Sequence, residues 1–339
     1  MLGGKKVGPG CDTYVIAEIG GNFLDFETGK KLIDLAIESG VDAVKLQTYK
    51  ANNTVTKTAW TDMENTGKAI QYDYFIKYEL PENLHYQVFE YCKSKGLFVF
   101  STPSHPEDVI FLDQLGIEAY KIGADDATNI PLLKFIARRN KPILISTGMC
   151  TMEEVREAVN SILGEGNDQI ILFHTVSSYP TYPEHANLNV IKTFISEFNL
   201  PIGLSDHSVG VENSIAARAL GACVIEKHFT YDKNAEGPDH MLSADPKEMK
   251  QIVNSVRNLD QAMGDFHKKP VGPEILNRLN NRKSVVSVMN IPKGTRITKE
   301  MIEIKRPGRG IPPKFIDQVI GRIANVNINE DHIITWDML

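Results

Sequence analysis

Eight short apolar runs recur along the first two thirds of the chain, each closing on residues that can do chemistry. They are VIAEIG (15–20), AVKLQTY (43–49), LFVFST (97–102), AYKIG (119–123), PILISTG (142–148), IILFHTV (170–176), PIGLSDH (201–207) and CVIEKHF (223–229). Segments with helical periodicity lie between them. Strand and helix in alternation imply a parallel sheet, and eight such units are the number that closes a (β/α)8, or TIM, barrel. The strand C-termini of such a barrel form its active face. Here they carry Glu18, Lys45, Gln47, Thr102, Lys121, Ser146, Ser205, His207, Glu226 and His228. That much charge and hydroxyl at one rim is costly unless it is used.

A barrel takes about 250 residues, so a chain of 339 leaves a tail to explain. The expected layout is a barrel over 1–265, a linker over 266–281, and a small β-rich domain over 282–339. The linker is read from two prolines and little core periodicity in 266–283. The tail holds an internal echo: residues 290–302 (NIPKGTRITKEMI) align without gaps on 327–339 (NINEDHIITWDML), which points to a pseudo-symmetric β unit. Thr151 with Glu154, and Ser104 with Glu107, read as capping boxes. The stretch 50–82, which includes Asn52, Trp60, Asn65 and Tyr72, is too long for a simple βα loop. It reads either as a lid that meets substrate or as a surface insertion. The glycines at 3, 4, 8 and 10 precede the first strand, where a dinucleotide loop would follow one. They read as a flexible terminus.

The net charge of −6, without a basic stripe, argues against a nucleic-acid partner. No apolar stretch approaches the roughly 20 residues of a membrane span, and the first residues lack the apolar core of a secretory signal. Four widely spaced cysteines suit reduced thiols rather than a disulfide or zinc framework. The expectation is a cytoplasmic enzyme.

Side chains alternate faces along a strand, so Lys45 pairs with Gln47, Ser205 with His207, and Glu226 with His228. Placed inward, these pairs and Lys121 surround one cavity. Two imidazoles on adjacent strand ends can share a divalent cation, and an open coordination sphere would leave room for a substrate oxygen. The alternative is that each histidine is a hydrogen-bonded core or acid–base residue. Two lysines among hydroxyls suit a phosphate and carboxylate cradle; a Schiff-base lysine is the alternative.

At these residues the chain resembles the bacterial sialic acid synthases, which include the N-acetylneuraminate, legionaminate and pseudaminate synthases. The shared motifs are IAEIGGN (16–22), VKLQTY (44–49), STP (101–103), YKIG (120–123), ISTGM (145–149), YPT (179–181), GLSDH (203–207), EKHFT (226–230), GPDH (237–240) and KRPG (305–308). They cover essentially the whole chain in the family's order. The resemblance implies that the tail is an antifreeze-like (SAF, β-clip) domain. It implies condensation of phosphoenolpyruvate with an open-chain N-acylated hexosamine to a nine-carbon 2-keto-3-deoxy acid, with release of phosphate. By motif, Lys45, Gln47, Thr102, Lys121, Ser146 and Ser205 would hold phosphoenolpyruvate. Glu18, Ser177, Tyr179 and Asp239 would meet the sugar, as would Arg306, reaching across a domain-swapped homodimer. His207 and His228 would bind manganese, with magnesium or cobalt as alternatives. Glu18, Lys45, Lys121 and Glu226 would be catalytic, and Asp126 is the candidate to activate water.

The chain departs from the family pattern at Phe23, where a histidine is usual. It departs again at 124–126 (ADD in place of Ser-Gly-Glu), and at Ser177, where asparagine is frequent. These changes bear on which sugar is accepted and on how water is activated. Two other readings stand beside the synthase. One is a related condensing enzyme of the 3-deoxy-ulosonate type, or an aldolase, on another sugar. The other is a carbohydrate-binding protein without turnover.

Overall fold

A computed structural model describes residues 1–64 and 67–339, with Met63 described by its backbone alone. Asn65 of the long insertion lies outside the described residues. The described chain divides into two compact units, 1–263 and 264–339. Each has its own apolar core.

The first unit is a closed parallel barrel of eight strands. They are β1 (Tyr14–Glu18), β2 (Ala43–Thr48), β3 (Phe98–Pro103), β4 (Tyr120–Ile122), β5 (Ile143–Ser146), β6 (Ile170–Thr175), β7 (Ile202–Asp206) and β8 (Val224–His228). Each pairs with its neighbour in sequence, and β8 returns to β1, so no strand edge is left open. The register places Glu18 opposite both Lys45 and His228, Gln47 opposite Thr102, and Ser205 opposite Glu226. Charged and polar side chains of neighbouring strands are therefore set side by side at this end of the barrel.

Helices form where the sequence caps them. Phe26–Ser39 begins at Asp25, whose carboxylate accepts from the Thr28 N–H, and ends at Gly40 with φ 84°. Thr151 and Glu154 make the expected reciprocal cap. The Ser104–Glu107 box does not form. Pro106 fills the first helical turn, so the cap falls on His105, whose ring accepts from the Glu107 N–H.

The first residues contact the barrel. Leu2 is buried in the barrel core, and the Gly3 turn (φ 52°) fits because a Cβ there would fall 2.6 Å from the Phe98 ring. At the same end, Asp42 accepts from the Val15 N–H and binds Lys5 and Arg257, each at 2.5–2.7 Å. Asp260 in turn binds Thr13 and Arg218. These groups tie the last barrel helix, Pro246–Ala262, to the first strand. Replacing Asp42 by alanine strands a buried amide and a guanidinium. It is expected to cost about 3 kcal/mol, read as a lower urea midpoint for the barrel.

The described residues of the insertion after β2 form a short helix (Ala51–Thr54), two paired strands (Trp60–Met63 with Gly67–Ile70) and a helix (Gln71–Tyr78). Tyr182, after β6, donates to Glu64, and Lys77 pairs with Glu236, after β8. The insertion therefore reaches loops on the mouth side of the barrel.

In the second unit, the stretch read as linker contains a helix, Gly272–Asn281, whose first turn is held by the Glu274 carboxylate accepting from the Val271 N–H. Its apolar residues Ile275, Leu276 and Leu279 fall at helical spacing and are exposed in this chain. The sequence echo is a structural one. Ile291 and Ile328 exchange both backbone hydrogen bonds. Asn290 accepts from the Glu330 N–H as Asn327 accepts from the Lys293 N–H. Gly294 and Asp331 sit at the same offset in left-handed backbone, and each half ends in a 3-10 turn, Lys299–Met301 and Trp336–Met338.

Among the described residues no helix is long and apolar enough to cross a membrane. All four cysteines are free.

Candidate active site

Two ammonium groups and two carboxylates meet inside the barrel at its C-terminal end. Lys45 contacts the Glu18 carboxylate, donates to Thr102 Oγ1 at 3.0 Å, and lies 3.9 Å from Glu226. Lys121 donates to Glu226 Oε1 at 2.8 Å, and Ser205 donates to the same oxygen at 3.1 Å. All four charged side chains are buried. Such a group folds only because its charges cancel.

Two glycines make room for it. A Cβ on Gly203 would fall 2.7 Å from the Phe173 ring. Without one, that ring lies beneath the Lys121 ammonium, 4.9 Å from its centroid. A Cβ on Gly20 would strike both Glu18 and Gln47; instead the Gly20 N–H donates to Glu18.

The electrostatics separate the four groups. Burial pushes the Lys121 ammonium below its ordinary range, although Glu226 pulls it back. For Lys45, burial would lower the pKa, but Glu18 and Glu226 together outweigh it and raise it. Burial would raise Glu226; Lys121 and Lys45 overcome that and hold it ionised. Glu18 is raised, by burial first and by the charge of Glu226, against the pull of Lys45. Burial and the neighbouring charges thus push the two carboxyls in opposite directions.

The two imidazoles stand beside this cluster, with centroids 5.5 Å apart. His207 Nδ1 bonds the Val176 carbonyl at 2.8 Å, which leaves Nε2 as the lone-pair nitrogen. His228 Nδ1 is buried without a hydrogen-bond partner, 3.6 Å from an Asp239 oxygen. Burial lowers His207 to about 4 and takes His228 well below the usual range, where His207 and the lysines depress it further. Neutral imidazoles with unclaimed nitrogens fit a divalent cation. Among the described residues, no group of three or more His, Cys, Asp and Glu side chains has the geometry to hold a metal, so a cation on this pair would keep open positions.

Tyr179 stacks on His207 at 4.3 Å and meets His228 edge-on at 6.2 Å. Its phenol is pushed up by burial and by Asp239 and Asp125. Ser177 packs against Gly148, where a Cβ would fall 2.2 Å from its hydroxyl. Further buried polar atoms lack hydrogen-bond partners: Ser146 Oγ, Thr175 Oγ1, Glu226 Oε2 and Asn22 Oδ1. Native interiors hold few such atoms, and several here share the strand C-termini.

The structure therefore brings together Glu18, Lys45, Thr102, Lys121, Ser205 and Glu226, and sets His207, His228, Tyr179 and Asp239 beside them. Asp126 lies in the turn that follows β4. Its carboxylate accepts from Asn129, and it is raised to about 6 by burial and by the charges of Asp125 and Asp108. Asp125, its neighbour in the 3-10 turn Ala124–Asp126, is among the acids whose charges reach Tyr179, after Asp239. Arg306 belongs to the second unit and is exposed there. Sequence reasoning missed Tyr74, whose phenol is raised by burial and by Asp239. It sits in the insertion, which has no strand register to reveal it.

The NeuB family pattern matches residues 32–268, and the SAF domain pattern residues 282–339. The chain is 38% identical to N,N'-diacetyllegionaminic acid synthase of Legionella pneumophila, over 98% of this chain and 96% of that protein. It is 32% identical to N-acetylneuraminate-9-phosphate synthase of Homo sapiens, over 99% and 95% respectively. Among solved structures, the citrate complex of N-acetylneuraminic acid synthetase from Leptospira borgpetersenii matches with a TM-score of 0.73 at 30% identity. That match covers 82% of this chain and 94% of that one.

Proposed function

We propose that this chain, which belongs to the NeuB family, joins phosphoenolpyruvate to the aldehyde of an open-chain N-acylated hexosamine. The product is a nine-carbon 2-keto-3-deoxy acid, and phosphate leaves. The observation that carries this is the meeting of two buried lysines and two neutral, unclaimed imidazoles at one end of a closed barrel.

Lys45 and Lys121 bind the anionic groups of phosphoenolpyruvate, with Thr102, Ser146 and Ser205 supplying hydroxyls and Gln47 an amide. The Ser146 hydroxyl, buried and without a partner, supports its assignment to a ligand. His207 and His228 hold the cation, manganese with magnesium or cobalt as alternatives. When bound there, it supplies Lewis acidity to the aldehyde oxygen. Tyr179 and Asp239, beside the imidazoles, and Ser177 orient the sugar. C3 of phosphoenolpyruvate attacks the aldehyde carbon, water adds at C2, and the C–O bond to phosphate breaks. The lysines stay in place to stabilise the departing phosphate. Glu18 is suited to move a proton because its pKa is raised. Asp126 is the candidate to activate water, and Glu226, whose Oε2 lacks a hydrogen-bond partner, is a second. The same reading includes a homodimer in which Arg306 of the partner subunit meets the sugar.

The test is phosphate release and product mass with phosphoenolpyruvate, manganese and a panel of sugars. N-acetylmannosamine, its 6-phosphate and di-N-acetylated 6-deoxy hexosamines should include at least one substrate that gains three carbons. Phosphate release only with simple aldose phosphates would replace this activity by the 3-deoxy-ulosonate type. Sugar binding with no release under any metal would leave a binding protein.

A further inference from the structure

One buried ion pair has no part in the chemistry above. Asp206 and Lys227 are register partners on β7 and β8. Strand alternation turns them outward, behind the residues that face the cavity. Their side chains are 3% and 1% exposed, and Lys227 Nζ lies 2.9 Å from Asp206 Oδ2. The ammonium also donates to the Ser208 carbonyl at 2.6 Å. Asp206 Oδ1 accepts from both the N–H and the hydroxyl of Ser208, at 3.0 and 2.6 Å. Asp206 Oδ2 accepts from Ser214 at 2.7 Å, on the helix Glu212–Ala219.

This circuit encloses His207. Both of its chain neighbours, Asp206 and Ser208, are fastened to Lys227, the residue before His228. A third tie holds the His207 backbone, whose carbonyl accepts from the Thr181 N–H at 3.0 Å. Shifting either imidazole along its strand end would break several charge-assisted bonds at once.

A buried pair of this kind is a weak source of stability, and well-packed apolar residues often replace one at no loss. Its value lies in geometry, since the groups behind a ligand set orientation and affinity. We propose that the Asp206–Lys227 pair positions His207 and His228 for the cation; this rests on the metal reading of the two imidazoles. Asp206 and Lys227 are positioning residues that touch neither substrate nor metal.

The test uses full-length protein and the variants Asp206→Asn and Lys227→Met. Binding of Mn2+ alone is followed by electron paramagnetic resonance, and kcat and KM are measured alongside. Expected are about 10–100-fold weaker Mn2+ affinity and a matching fall in kcat at fixed metal. The KM for phosphoenolpyruvate should stay near its wild-type value, because Lys45 and Lys121 stand on β2 and β4. A loss of packing alone would not produce that split. Should Lys227→Met fail to fold, Asp206→Asn, which is isosteric, decides. Folded variants that bind Mn2+ as tightly as wild type overturn the positioning role and leave the metal reading standing. A wild-type protein that binds no Mn2+ overturns the metal reading itself, and the positioning role with it.

Discussion

His207→Ala and His228→Ala are each expected to lower kcat about a thousandfold with little change in the circular dichroism spectrum. Lewis-acid stabilisation of a developing alkoxide is worth several kcal/mol, and each 1.36 kcal/mol is a factor of ten. The fold should survive because neither imidazole fills the apolar core. The His207 ring bonds the Val176 carbonyl, and His228 Nδ1 has no hydrogen-bond partner. The measurement is turnover across a manganese titration with phosphoenolpyruvate saturating. If either variant keeps wild-type activity after chelation and metal add-back, the cation does not sit on these residues.

Lys121→Met should lower kcat/KM for phosphoenolpyruvate about 100–1000-fold, the usual cost of deleting one preorganised donor at a charged reacting group. Methionine can fill the space of the lysine stem over Phe173, so the barrel should still close. The variant also removes the nearest cation from Glu226. Of the charges that hold its carboxyl down, only Lys45, 3.9 Å away, would remain. Burial then counts for more and the Glu226 pKa rises. The acid limb of the rate–pH profile should therefore move to higher pH. A profile that falls in height without moving would show that Glu226 does not control that limb.

Much of this was legible from residue order. Eight apolar runs ending in polar residues require a ring of parallel strands, and parity then forces Lys45, Lys121, Glu226, His207 and His228 to one end. Parity turns Asp206 and Lys227 outward, but does not say which groups satisfy them there. A clue was present: a lysine and an aspartate in the buried-helix register of two neighbouring strands need each other. The helix Gly272–Asn281 is short, and Pro270 and Pro273 at its start mask an apolar face of only three residues, Ile275, Leu276 and Leu279. The echo in the tail was visible only as letters; its meaning is that the two copies hydrogen-bond each other.

The stitching of Arg257 to Asp42 and of Asp260 to Thr13 joins residues 215 and 247 positions apart. During synthesis, β1 must wait for β8 and the helix behind it before its outer edge is covered. Until then the nascent barrel is an open parallel sheet with two bare edges, a shape that invites pairing with other chains. Contacts this distant also slow the search for the native state. The same ring that keeps the finished enzyme closed makes its birth the stage at which it is most exposed to misassembly.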